Sequence, residues 1–341
     1  MTRRRAVQAA VLLVVGVAIL VGLIGAVHPK DVAAALGRAS PGWVLLGVLG
    51  PIGFALLRGW RWKVILDASS PHADLKDVIA ITGVGFAINA VGVFKLGDLV
   101  RLGAMAQRAR IGVGEVGATI VVERVLDVLA LLVIAAGAAA AAGGGAQGSR
   151  LWGGVIAFAG VSAAIGVAGW VVVSKADWAL RQLTRLARRL KPAWAAAAIR
   201  LGESVLRGLR SLRSARHLGV ALVLSLAIWL VSVAGLVALF RAVSSQLSLS
   251  TLLVALALFT ISQAVSITPG SVGTYEGFYF LVLTAFGARP QSVVAAAAVL
   301  SHIGGIAGLA LAGAAGSLWL RLRPASAPVR PQGAAAGEDP A

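Results

Sequence analysis

Long apolar runs set the strongest limit on what this chain can fold into. Six of them approach the ~20 residues that a helix needs to cross a bilayer. Because unpaired backbone groups are costly in lipid, a spanning segment must be a helix or part of a closed barrel. With 59% hydrophobic and only 13% charged residues, the chain is predicted to be an all-α integral membrane protein, a polytopic helical bundle. The six predicted spans cover residues 6–27, 41–57, 116–142, 151–173, 218–240 and 291–320.

Two further apolar segments are interrupted and do not span comfortably as single helices. Residues 75–94 contain Gly83, Gly85 and Gly92 and are followed by a short charged segment. Residues 251–269 end at a Pro-Gly pair and are followed by a short apolar segment. Irregular backbone at membrane depth is tolerated only where it is buried in protein or lines a wet cavity. We therefore expect two re-entrant hairpins.

The two interrupted segments correspond at one constant offset, which pairs Val93 with Pro269 and Gly97 with Gly273. The same offset aligns the spans that flank them, and the distribution of basic residues gives the two halves opposite orientations. Inverted repeats with broken helices in matching positions are typical of transporters, whose substrate site lies near the bilayer midplane. The predicted repeat halves are residues 6–142 and 151–320.

Basic residues predict how the chain is oriented. Three arginines at residues 3–5 precede the first span, which is too long for a secretory signal, so we expect it to be retained with its N-terminus inside. Residues 175–217 are basic, with apolar residues at helical spacing. We interpret them as an amphipathic insertion on the inner leaflet, with a solvated connector as the alternative. The membrane domain, residues 1–323, is then followed by a disordered cytoplasmic tail, residues 324–341. These features predict a multi-pass protein of the cytoplasmic membrane with both termini cytoplasmic.

The end of the second span alternates tryptophans with basic residues. Arg58, Trp60, Arg61, Trp62 and Lys63 follow one another within six positions. Tryptophan and Arg/Lys are enriched where a helix meets the headgroups. The pattern therefore predicts that this segment marks an inner membrane boundary.

Ionisable residues concentrate in the first interrupted segment and in the span after it. Glu123 and Asp127 share a helix face, and Arg124 reaches Asp127 across one turn. Charges at membrane depth are costly and are tolerated where they neutralise one another, so this trio is predicted to form a structural ion cluster. Other polar or turn residues lie in the hairpins, where backbone dipoles and water can meet a ligand. The predicted substrate-binding residues are Asn89, Lys95, Asp98, Arg101, Pro269, Gly273 and Glu276.

Several classes of site are excluded by the residue inventory. The chain has no cysteine, so disulfides and thiolate chemistry are excluded. Its four histidines are scattered without metal-ligand spacing, and no cofactor or metal is expected. Its net charge of +18 is explained by membrane-edge residues rather than by nucleic-acid binding. Without a nucleophile–base pair or a nucleotide loop, an intramembrane enzyme acting on lipid-linked phosphate is disfavoured, and we predict no enzymatic activity.

Three motifs occur in a recognisable order. They are Asn89-x3-Val93-x-Lys95-x-Gly97-Asp98-x2-Arg101, Glu123-Arg124-x2-Asp127 and Pro269-x3-Gly273-x2-Glu276. Over about residues 10–320 the chain resembles the lysylphosphatidylglycerol synthase transmembrane family, a flippase-like domain that also occurs alone. Val93 stands where that family usually has proline. The resemblance implies a translocation domain without the soluble domain that transfers lysine from aminoacyl-tRNA to lipid.

Two transport functions remain open. A lipid translocator would use Lys95 and Arg101 to attract an anionic phosphate, and Asp98, Glu123 and Glu276 to attract an amino headgroup or a coupling proton. The alternative is a secondary transporter of a small polar solute, which the same repeat would serve. The expected partners are membrane lipids, anionic ones foremost, with a second copy of the chain or a lipid-modifying enzyme as open cases.

Overall fold

The computed structural model describes residues 3–68, 73–92, 95–167, 215–244, 247–264 and 268–323, and their regular structure is entirely helical. The helices are α1 (Arg3–Ala26), α2 (Pro29–Gly37), α3 (Pro41–Asp67), α4 (Leu75–Val91), α5 (Leu96–Arg108), α6 (Val113–Ala141), α7 (Ala146–Val167), α8 (Ala215–Ala242), α9 (Leu249–Ala264), α10 (Thr274–Ala285) and α11 (Gln291–Leu322). A 3-10 turn, Pro269–Ser271, precedes α10. The predicted tail 324–341 and the predicted basic insertion 175–217 lie outside the described residues, except that residues 215–217 begin α8.

Helix length and composition confirm a polytopic helical membrane protein. Within the described residues, α3, α7, α8 and α11 are long and apolar enough to cross a bilayer, and α1 with α2 forms a fifth such segment, bent by 93°. The remaining predicted span corresponds to α6, whose 29 residues are long enough but include the charged trio. Helix α3 continues to Asp67, well past its predicted end at residue 57.

Glycines make the closest helix crossings. A Cβ added to Gly50 of α3 would lie 2.6 Å from the Cα of Gly235 in α8. A Cβ added to Gly316 of α11 would lie 2.5 Å from the carbonyl oxygen of Ala80 in α4. Helices in lipid associate through close packing rather than through burial from water, and small residues permit that approach. Close glycine contacts therefore hold together the pairs α3–α8 and α4–α11.

The first predicted break lies between α4 and α5. Helix α4 is capped by Gly92, and Lys95 has a left-handed backbone, with φ of 53°, immediately before α5. The two arms then fold against each other so closely that a Cβ on Gly97 would lie 1.8 Å from the carbonyl oxygen of Gly85. This close contact explains why glycine is needed at position 97. Helices α4 and α5 thus form a helical hairpin.

The second predicted break lies between α9 and α10. The chain turns through Gly270 and Gly273, whose φ values of 60° and 76° favour glycine. The two breaks are in contact, because the Gly270 N–H donates to the carbonyl oxygen of Gly92 at 3.3 Å. The turns of both hairpins therefore meet inside the bundle.

Helices in the two halves have corresponding neighbours. Helices α3 and α8 pack against each other. In the first half, α4 packs on α11 and α5 packs on α6. The corresponding helices of the second half do the same, since α9 packs on α6 and α10 packs on α11. Among α3–α6 and α8–α11, each of these pairs therefore has a counterpart in the other half, whereas the contacts of α1 with α10 and of α2 with α11 have no counterpart of similar extent among the described residues.

Candidate functional site

A buried ion network joins α3, α5 and α6. Asp127 lies 2.8 Å from Arg58 Nη2 and 2.6 Å from Arg61 Nη1, measured to its two carboxylate oxygens. Glu123 lies 3.3 Å from Arg61 Nη2 and 2.7 Å from Arg101 Nη2. All five residues are buried, and Arg61, Arg101 and Glu123 are fully so. We refer to these five residues as the ion network.

Helical spacing explains how the network is assembled. Glu123 and Asp127 are one turn apart on α6, and Arg58 and Arg61 are one turn apart on α3, so each helix presents its pair on one face. Ser225 of α8 accepts a further hydrogen bond from Arg61 Nη1 at 2.9 Å. Arg61 is therefore the central residue, with partners on α6 and α8.

Aromatic rings enclose the other two guanidiniums. The Arg101 Cζ lies 4.2 Å from the ring centroid of Trp62, and the Arg58 Cζ lies 4.7 Å from that of Phe54. Phe86 is within 5.3 Å of both. Cation–π contact partly replaces the water that these cations lose on burial.

The charges of the ion network do not balance. Three guanidiniums, from Arg58, Arg61 and Arg101, face two carboxylates, from Glu123 and Asp127, which leaves one positive charge in excess. Among the described residues, five donors of the ion network are buried without a hydrogen-bond partner, namely Nε and Nη1 of Arg58 and of Arg101 and Nε of Arg61, against one such acceptor, Asp127 Oδ2. A buried donor without a partner is costly, and a buried charge more so. The site is suited to an anion with several acceptor oxygens.

A less buried rim connects the ion network to the first hairpin turn. Asp98 lies 3.8 Å from Arg101 Nη1 and 3.6 Å from Arg124 Nη2, and its side chain is 25% exposed. Asn89 donates to Asp98 at 3.1 Å and accepts from the Gly97 N–H at 2.8 Å. The rim positions Asp98 beside the network through the backbone of the turn.

A second polar cluster lies in the other hairpin. Glu276 is buried; one of its oxygens accepts from the Gly273 N–H at 2.8 Å, and the other lies 2.8 Å from His302 Nδ1 on α11. Tyr275 stacks on the His302 ring, with centroids 4.2 Å apart and planes within 5°. Glu276 thus holds the start of α10 in place and pairs it with α11.

The predicted site residues are divided between the ion network with its rim and the polar cluster of the second hairpin. The structure brings together Asn89, Asp98 and Arg101 with the predicted trio, of which Arg124 is 46% exposed and lies 3.7 Å from Asp127. Lys95 lies at the same turn, half-buried. Pro269, Gly273 and Glu276 belong to the second hairpin, which meets the first at Gly92.

Sequence reasoning missed two members of the network. The interpretation of Arg58 and Arg61 as boundary residues is wrong, because both are buried and paired with α6 carboxylates. Trp60, 50% exposed, and Lys63, paired with Asp67, do fit the predicted boundary pattern. The signal that was available is the one-turn spacing of the arginines on an otherwise apolar helix, which matches the spacing of Glu123 and Asp127.

Comparison with known proteins agrees with this architecture. Residues 9–313 match the family described as the lysylphosphatidylglycerol synthase TM region. The chain is also similar to a UPF0104 membrane protein from Methanothermobacter thermautotrophicus, with 23% identity over 87% of this chain and 90% of that protein. The match covers the ion network and both hairpins, and the chain therefore belongs to the family of the lysylphosphatidylglycerol synthase TM region.

Proposed function

We propose that this protein is a flippase-like translocator of a phospholipid or lipid-linked headgroup across the cytoplasmic membrane, and that it is not an enzyme. The observation that carries the proposal is the excess of buried guanidinium groups beside a broken hairpin. Ionisable groups at membrane depth mark substrate pathways. A phosphate supplies both the missing charge and the missing acceptors, since guanidinium binds phosphate oxygens strongly.

Each part of the site has a role in this proposal. Arg101 and Lys95 attract the headgroup phosphate, and Arg58 adds a third cation that sequence reasoning did not supply. Asp98 at the rim receives an amino group where the headgroup has one. Glu276 with His302 takes up a coupling proton in the second hairpin. The acyl chains stay in the bilayer while the headgroup crosses.

The helix packing supports the proposal that an inverted repeat is the basis of headgroup translocation. The neighbour relations of the two halves correspond, and the hairpin turns touch through Gly270 and Gly92. In transporters built this way, broken helices meet at a central site, and one half rocks against the other. We propose the same for this chain, with both termini cytoplasmic.

The experiment is lipid scrambling by the purified protein in proteoliposomes. Fluorescent lipids with anionic, zwitterionic and aminoacylated headgroups are compared in otherwise identical vesicles. We expect lipids with an anionic headgroup, whose phosphate charge is not neutralised by an amino group, to cross fastest. Movement of no lipid faster than in protein-free vesicles would contradict the proposal.

A secondary transporter of a small polar solute is the second candidate. The observation that favours it is the complete burial of Arg101 and Glu123, which suits a solute enclosed on all sides. Uptake of soluble organic phosphates into the same vesicles, without lipid movement, would select this function. A second copy of the chain, or a lipid-modifying enzyme that supplies the lipid, is a proposed partner in either case.

A further inference from the structure

A groove on the surface of the bundle is lined by none of the ion-network residues. It has a volume of about 420 Å³ and is formed by α3, α4 and α11. Its walls are apolar, and among the described residues that line it Lys76 alone is charged. The lining includes Ile52, Leu56, Ile79, Leu311 and Ala315, with Trp319 at one end.

The groove faces hydrocarbon rather than water. Both α3 and α11 are apolar enough to span a membrane, and Leu56 and Leu311 on its edges are 49% and 57% exposed. From Leu311 to Trp319 the helix rises roughly 12 Å, a substantial part of one leaflet. An open apolar channel of this size and direction fits an acyl chain.

Two cations without carboxylate partners lie at the end marked by Trp319. Its ring is 5.3 Å from Lys76 Nζ and 4.6 Å from Arg323 Cζ, measured to the ring centroid. The nearby carboxylate, Asp77, is already engaged by Arg108 at 2.5 Å and by Trp319 Nε1 at 2.9 Å. Among the described residues neither Lys76 nor Arg323 forms a salt bridge, and at this end the three cations Lys76, Arg108 and Arg323 outnumber the two carboxylates of Asp74 and Asp77.

We propose that the groove is a binding site for one anionic glycerophospholipid. The acyl chain lies between α3, α4 and α11, and the phosphate lies between Lys76 and Arg323. Tryptophan beside basic residues is the usual composition at headgroup level, and basic residues there attract anionic lipid. The Asp77 carboxylate at this end is engaged by Arg108 and by the Trp319 Nε1–H, which offsets its repulsion of the phosphate. This site shares no lining residue with the ion network, and the proposal does not depend on what that network transports.

Native mass spectrometry of the full chain in detergent tests the site, with dioleoyl phosphatidylglycerol titrated against dioleoyl phosphatidylcholine. The double variant Lys76→Gln/Arg323→Gln is expected to lower the affinity for phosphatidylglycerol about thirtyfold and to leave that for phosphatidylcholine nearly unchanged. Ala315→Phe, which fills the groove from an exposed position, is expected to weaken both lipids.

Matched controls come from the same helix. Ala314→Phe and Arg321→Gln change exposed residues that do not line the groove, and they should bind as the wild type does. The site is overturned if these controls weaken binding as much as the groove variants do. It is also overturned if the double variant keeps its preference for phosphatidylglycerol. Neither readout involves transport, so the result is independent of the proposed translocation.

Discussion

Arg61 is the residue on which the buried ion network depends. It contacts both carboxylates of α6 and the Ser225 hydroxyl, and it has no exposed surface. Arg58 and Arg101 each contact one α6 carboxylate and each keep two buried donors without a hydrogen-bond partner, whereas Arg61 keeps one, its Nε. The larger number of free donors distinguishes Arg58 and Arg101, as the arginines more available to a ligand, from the structural Arg61. The predicted structural role of Glu123 and Asp127 fits this geometry, with partners mainly on α3 and α5.

Asp127→Asn is expected to reduce the stability of the folded protein. The change leaves Arg58 and Arg61 without their main counter-charge, and breaking a buried pair costs ~3–5 kcal/mol. Adding Arg58→Gln should recover part of the loss by removing one of the stranded charges. Adding Arg124→Gln should recover little, because that side chain is 46% exposed. Thermal unfolding in detergent of these three variants checks this, and equal recovery by both second changes would contradict the assignment.

At the scale of helices, the positions of glycines decide which helices can pack closely against each other. Both interrupted segments could be predicted from the sequence because glycine and proline break apolar patterns visibly, and the structure breaks at Gly92 and around Gly270. Pairings across helices could not be predicted in the same way. The one-turn spacing of Arg58 and Arg61 matches that of the α6 carboxylates, but it does not fix which helix lies opposite. The pairing of Glu276 with His302 likewise depends on how α10 packs against α11.

Gly50→Ala is expected to destabilise the α3–α8 crossing. The added methyl would lie 2.6 Å from the backbone of Gly235, which cannot move aside without separating the helices, and overpacking of this kind costs ~1–3 kcal/mol. Gly103→Ala is the matched control, because a Cβ there meets nothing within 4 Å and alanine is the better helix former. The unfolding temperature should fall for Gly50→Ala and stay level or rise for Gly103→Ala. A fall of the same size in both would count against the glycine crossing.

At the scale of the whole molecule, we propose that two halves of opposite orientation meet around one polar centre. The neighbour relations of the helices support this arrangement, and the contact between the hairpin turns lies at its middle. The sequence predicted the repeat from matched breaks and charge bias. The contact itself depends on three-dimensional packing, and no local pattern near Gly92 or Gly270 indicates it.

Topology mapping tests the orientation of the halves. Reporter tags after Gly144 and Ser245 are expected outside, and tags at Arg188 and Ala335 inside, because basic segments are retained on the cytoplasmic side. Accessibility to a membrane-impermeant label in intact cells reads out each position. An external tag at Arg188 would contradict both the orientation and the inverted repeat.

The central claim is that the surplus guanidinium charge selects an anionic headgroup, and Arg58→Gln tests it most directly. This change brings the buried groups to two cations and two carboxylates, and it leaves Asp127 paired with Arg61 at 2.6 Å. The variant should therefore fold.

Arg38→Gln, at an exposed arginine outside the network, is the control. The measurement is the ratio of phosphatidylglycerol to phosphatidylcholine scrambling rates in proteoliposomes. We expect the wild type and Arg38→Gln to favour phosphatidylglycerol at least about tenfold, which corresponds to ~1.4 kcal/mol, and Arg58→Gln to lose most of that preference. An unchanged preference in well-folded Arg58→Gln would contradict the account.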